Sequence, residues 1–217
     1  MAQKRQADKN KVSKLPTDSN ELSKHIATLK TCTLCPAMIG PVITHRPVAS
    51  KIYLCGQAPG VYEGDLGRPF AWTAGKTMFK WFSSIGVDEE IFRSRAYIGA
   101  VCRCFPGKAS GGGDRVPSPN EVKNCSRWME AEFKIMQTEL VIPVGRLAID
   151  QFLPKQKLTD VIGKQFRKEA FGTTCDIIPL PHPSGASSWF KIEPGLSLTK
   201  EALVLLANHP VWIDTFK

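Results

Sequence analysis

The stretch Lys51–Gly75, KIYLCGQAPGVYEGDLGRPFAWTAG, limits what this chain can fold into more than any other. It opens on Ile52-Tyr53-Leu54-Cys55, an apolar run rich in β-formers and too short for a helix. Gly56-Gln57-Ala58-Pro59-Gly60 then stops the run with two glycines and a proline, which demand a sharp turn. A second punctuated segment, Gly67-Arg68-Pro69-Phe70, precedes Thr73-Ala74-Gly75, where a helix begins and runs through Met78, Phe79, Phe82 and Ile85. Strand, tight polar loop and helix N-terminus together make a binding site at the carboxyl edge of a strand.

The rest of the chain repeats the alternation. Strands are expected at about 51–55, 96–101, 139–144 and 175–180, and helices at about 73–85, 118–138, 146–153 and 199–207. This order predicts a mostly parallel four-stranded sheet flanked by helices and joined by right-handed crossovers. The strand ends gather unusual residues on one rim: Gly56 and Gln57, then Cys102 to Pro106, then Gly145-Arg146, then Pro181-His182-Pro183-Ser184-Gly185. Ser118 is placed to cap the long helix, with Glu121 three residues on. There are no internal repeats. A chain of 217 residues with 42% hydrophobic content can bury one core. Residues 1–17 are polar and lysine-rich, a disordered basic tail, and 18–217 form a single domain, expected to be monomeric.

Charge and cysteines narrow the function. A net charge of +9 points to a polyanionic partner, nucleic acid before membrane. No apolar run approaches the roughly 18 residues of a membrane span. The N-terminus has charge but no apolar core like that of a secretory signal, so a cytoplasmic location is expected, with association with the nucleoid in a bacterium. Seven cysteines, an odd number, then argue for metal ligation plus free thiols rather than disulfides. Cys32-Thr33-Leu34-Cys35 closes a short amphipathic helix carried by Leu22, Ile26 and Leu29. Cys104 and Cys125 flank a Gly/Pro-rich loop, Cys55 and Cys175 sit in apolar runs as core thiols, and Cys102 fits either face of its strand. The loop itself, FPGKASGGGDRVPSP at 105–119, with Arg103, Lys108 and Arg115, suits either a plain surface insertion or a segment lying on a phosphate backbone.

Taken as an ordered set, these motifs resemble the uracil-DNA glycosylase superfamily, closest to its iron–sulfur-containing family 4. GQAPGVYEGDLGRPFAWTAG resembles the first motif and His182-Pro183-Ser184-Gly185 the second, with the likeness running from about residue 28 to 210. The resemblance implies a three-layer α/β/α sandwich that flips deoxyuridine out of DNA and hydrolyses its N-glycosidic bond. It implies Gly56, Gln57, Phe70, Ala100 and His182 around the base, Phe70 stacking on it and His182 stabilising the departing anion. Pro183, Ser184, Gly185 and Ser187 would meet the DNA, joined by Arg103 and Arg115. Cys32, Cys35, Cys104 and Cys125 fall where the family places its cluster ligands, so [4Fe–4S] is favoured over zinc, although four thiolates suit both.

The chain also departs from the family. Ala58 stands where family 1 carries an aspartate, Gln57 where family 4 carries a glutamate, and Ala100 where family 4 carries an asparagine that reads uracil. Glu63 is therefore the first candidate for positioning water, Asp65 the second, with Gln57 nearby. Other deaminated bases, and a role in binding damaged or abasic DNA with little excision, stay open. One cluster-containing subgroup traps uracil-DNA covalently through a histidine in the loop insertion. Residues 105–119 hold no histidine, and Asp114 takes roughly its place, so turnover is expected.

Overall fold

The computed structural model describes residues 18–185 and 187–217. The basic tail at 1–17 lies outside the described residues, as does position 186. Five strands form one sheet: β1 (Ile52–Gly56), β2 (Tyr97–Ala100), β3 (Leu140–Pro143), β4 (Phe166–Ala170) and β5 (Thr173–Ile177), in spatial order β2-β1-β3-β5-β4. β2, β1, β3 and β5 run parallel, and β4 pairs antiparallel with β5 at the edge.

The expectation of four strands is corrected by β4. Its sequence, FRKEA, has no apolar alternation, because an edge strand with Arg167, Lys168 and Glu169 in water buries little. The turn into β5 is made by Phe171 and Gly172, both at positive φ (51° and 78°), the geometry of a tight hairpin. β1, β2 and β3 are instead buried at every residue, as strands covered on both faces must be.

Alternation along β1 sorts its two faces. Tyr53 and Cys55 meet α5 (Pro119–Met136), through Glu132 and Met129. The opposite side of Gly56 meets Phe70, just before α3 (Thr73–Ser83). α1 (Asp18–Lys30) packs along α5. The anticipated capping box is present: Ser118 Oγ accepts from Glu121 N–H, and Glu121 accepts from Ser118 N–H. The expected helix at 146–153 shrinks to one turn, Arg146–Ile149, and the last expected helix extends to Gly195–Asn208. A short helix at Glu89–Arg95 and a terminal one at Pro210–Phe216 stack Phe92 between Phe82 and Phe216, with Trp212 edge-on to Phe82. Among the described residues, no helix is long and apolar enough to cross a membrane.

Loop bonds extend the parallel rim beyond the strands. Val101 N–H donates to Gly56 O, Val144 pairs with Leu180, and Gly145 N–H donates to Leu180 O. These bonds bring the ends of four strands to one edge, where the sequence placed its unusual residues.

Candidate active site and cysteine cavity

A cavity of about 440 Å³ opens at that edge. Gly56, Gln57, Glu63, Phe70, Ala100, His182 and Ser184 all line it, so the two motifs converge although more than a hundred residues separate them. Asp65 is exposed and does not line the cavity, which removes it from the candidates for activating water.

Phe70 holds an unusual conformation, with φ at 54°. For a residue with a side chain this region costs roughly 1–2 kcal/mol, so the surroundings must enforce it. Arg93 does so from one side, donating from its guanidinium to the carbonyls of Pro69 and Phe70, both at 2.9 Å, while Nε pairs with Glu89 at 2.9 Å. Glu63 works from the other side, accepting from Gly60 N–H at 3.4 Å, with the backbone N–H groups of Ala71 and Phe70 near enough to favour its charged form. Two glycines make room. A Cβ on Gly56 would stand 2.8 Å from two carbons of the Phe70 ring, and one on Gly75 would stand 1.8 Å from the Phe70 carbonyl oxygen.

Glu63 is only 8% exposed. Burial outweighs the N–H donors and nearby Arg93, and pushes its carboxyl up to about 7. His182 is held in one tautomer. Its Nδ1 accepts from Ser184 N–H at 3.3 Å, so a neutral ring carries its proton on Nε2 and can donate there. Burial lowers the His182 pKa, against the opposing charge of Asp114. The ring rests on Gly145, at φ 83°, where a Cβ would stand 2.8 Å from His182 Cδ2.

The DNA-facing set divides. Arg103 is a correction: it is 3% exposed and does not reach outward. Its guanidinium donates to Tyr53 Oη at 3.0 Å and to the fully buried Glu132 at 2.5 Å. An uncompensated carboxylate at that depth would be costly, and the arginine is drawn in to meet it. Arg115 is half-buried and grips Glu121 with both terminal nitrogens, at 2.8 and 2.6 Å, while also reaching Ala37 O. Ser184 lines the cavity, Pro183 is buried, Gly185 is exposed, and Ser187 N–H turns back onto Ser184 O.

One further contributor carried no local signal. Arg93 follows two glutamates in a charged helical segment and reads as a surface residue. Asp114, already singled out in the loop insertion, lines the cavity beside Lys108, to which it is paired at 2.7 Å.

A second cavity, of about 360 Å³, is lined by Cys32, Cys35, Cys104 and Cys125 together with Leu29, Met38 and Arg103. The end of α1, the loop after β2 and α5 each bring thiols to it, and pairing of Ile39 with Phe105 ties the first two together. Among the described residues, no three Cys, His, Asp or Glu side chains gather closely enough to hold a single metal ion. Four thiols around one cavity supply soft donors of the kind that both zinc and an iron–sulfur cluster take. Cys55 and Cys175 are buried core thiols as expected, and Cys102 is buried with its thiol against that of Cys125.

Fold and pocket define an α/β protein whose ligand site is a cleft beyond the carboxyl ends of parallel strands, walled by an aromatic ring and an imidazole. A family model described as the Uracil DNA glycosylase superfamily matches residues 44–205, and the chain belongs to that superfamily. It is similar to the Type-4 uracil-DNA glycosylase of Archaeoglobus fulgidus, 26% identical over 171 residues, covering 76% of this chain and 81% of that protein. The Type-4 enzyme of Thermotoga maritima is 27% identical over 161 residues, covering 72% and 78%. The Type-5 uracil-DNA glycosylase of Thermus thermophilus is 26% identical over 159 residues, covering 59% and 70%.

Proposed function

We propose that this protein is a DNA repair hydrolase that extrudes deoxyuridine from DNA and hydrolyses its N-glycosidic bond, leaving an abasic site. The observation that carries the reading is the meeting of Phe70 and His182 in one cavity. The flipped pyrimidine stacks on Phe70, whose ring is fixed by its clamped backbone. As the C1′–N1 bond breaks, its electron pair moves onto the base, and His182 Nε2–H donates to the carbonyl oxygen that takes up the charge. A neutral donor already aimed there needs no reorganisation during the step. The sugar becomes electron-poor, and Glu63 and Asp114 give the pocket two carboxyls to favour that charge. Glu63, its carboxyl pushed up to about 7, is poised at neutral pH to take a proton from attacking water. Pro183, Ser184, Gly185 and Ser187 form the segment beside His182 that meets the DNA strand, with Gln57 and the backbone of Gly56 and Ala100 against the base.

Cys32, Cys35, Cys104 and Cys125 are the residues that would hold a [4Fe–4S] cluster. Bound there, it supplies a cross-link between α1, the loop after β2 and α5. Iron and sulfide content with broad visible absorbance would support this assignment, and a colourless zinc-loaded protein would remove it.

Incubation with a uracil-containing oligonucleotide, then alkali, tests the function. Cleavage at uracil is expected, with His182→Ala slower by about 10²–10³-fold. Intact activity in His182→Ala or Phe70→Ala would overturn the site assignment. Ala100 leaves the base edge without a side-chain amide, so the assay should include hypoxanthine and xanthine. Ala58 leaves the turn without an acid, and abasic-DNA binding without any cleavage would instead select a damage-binding role.

A further inference from the structure

The lip of the base pocket carries a feature that excision itself does not use. Tyr62 and Trp72 flank the turn that presents Phe70, and both line the cavity. They are 51% and 42% exposed, with ring centroids 4.7 Å apart at an interplanar angle of 42°. Val61 and Leu66 are exposed beside them in sequence, so four of the large apolar side chains that face water fall within residues 61–72. Lys76, one turn into α3, holds its ammonium 5.4 Å from the centre of the Trp72 ring. Folding alone does not account for two large aromatic rings left in water with a cation beside them, and such a patch marks a binding surface.

We propose that Tyr62 and Trp72 form a stacking platform for the base next to the extruded one, with Lys76 placed for the adjoining phosphate, and that this platform serves single-stranded DNA. The proposal rests on the reading of the pocket as a uracil site. The platform adjoins the cavity, so a strand with one base on Phe70 brings its neighbour to the lip. In a duplex that neighbour stays stacked and paired within the helix. In a single strand its faces are free, and aromatic side chains can take them whatever the base. The adjoining base pocket and the ammonium of Lys76 beside the Trp72 ring favour a nucleotide over a partner protein at this patch.

The test uses the full chain with Tyr62→Leu, Trp72→Leu and the aromatic-preserving Tyr62→Phe. Affinity is measured for one uracil-containing oligonucleotide, single-stranded and in duplex form, alongside excision of uracil from each. Each leucine variant is expected to weaken single-strand binding about 5- to 150-fold, the range of one base–aromatic stack, while Tyr62→Phe retains it. Duplex affinity is expected to fall by less than single-strand affinity in each leucine variant. Equal losses on both forms, or unchanged single-strand affinity in the leucine variants, would overturn the platform. A wild-type protein that excises no uracil from either form would overturn the pocket reading, and the platform with it.

Discussion

Arg93 is the residue on which the shape of the base pocket depends most directly. Replacing it with methionine keeps an unbranched stem over the Phe79 ring, where the guanidinium carbon now lies 4.6 Å from the centre. It deletes the donors to the Pro69 and Phe70 carbonyls. Hydrogen bonds from a charged donor contribute about 1.5–3 kcal/mol each, so the gross loss is about 3–6 kcal/mol. Freed from its clamp, Phe70 can leave the left-handed region and recover roughly 1–2 kcal/mol. The net destabilisation is therefore about 2–4 kcal/mol, and for a domain of this size it lowers the melting temperature by roughly 5–15 °C. Excision should fall as well, because a ring that relaxes no longer lies flat against the base, and stacking contributes about 1–3 kcal/mol. Phe70→Ala separates the two effects, with excision lost and stability largely kept. Excision by the double variant should be no slower than by Phe70→Ala alone, since the clamp has nothing left to position. Thermal melting and single-turnover excision read both quantities. An Arg93→Met protein that melts and excises like wild type would refute the clamp.

Two other consequences can be measured directly. Glu63 has a folded pKa of about 7 against an ordinary 4.5, so the folded state holds the proton more tightly. Its contribution is therefore fully present below about pH 4.5 and is lost as pH rises through about 7. His45, buried and held down to about 3, slopes the opposite way over part of this range, so the difference between Glu63→Gln and wild type is the informative quantity. In denaturant unfolding across pH 4.5–7 the variant should gain about 3 kcal/mol on wild type as pH rises, and a flat difference would count against the assignment. Gly56→Ala should push the Phe70 ring aside, because its new methyl would sit 2.8 Å from two ring carbons. Excision about 100-fold slower with the fold intact is expected, and a wild-type rate would mean that the ring's position is unimportant.

Some of this was legible in the sequence and some was not, and the division follows the range of the forces. The strands β1, β2 and β3 could be read from short apolar runs because each is buried at every residue, and Ser118 with Glu121 could be read because a capping box is local. The convergence of Phe70 with His182 was legible only through ordered motifs. β4 was invisible because an edge strand carries no burial pattern. Arg93 was invisible because its partners are backbone carbonyls 23 and 24 residues earlier, which leave no mark on its own helix.

Arg103 illustrates the same limit in a form that bears on how the two cavities are joined. An arginine between cysteines in a basic loop reads as a phosphate ligand, and a glutamate on an amphipathic helix reads as solvated. Each reading fails because the other residue exists. Glu132 sits at zero exposure, accepts from Tyr97 Oη at 2.8 Å and Tyr53 Oη at 2.5 Å, and takes Arg103 as its cation. Space for the guanidinium comes from Gly99, where a Cβ would lie 2.8 Å from it and 2.1 Å from Tyr53 Oη. A buried pair of this kind adds little net stability over well-packed apolar side chains, but breaking one half of it is costly, so it acts chiefly to fix position. What it fixes is the loop after β2, whose residues line both the cysteine cavity and the base pocket. The loop's register is thus set from inside by Arg103 on Glu132, and from outside by Arg115 on the same helix through Glu121. The arginines that composition assigns to DNA act first on α5.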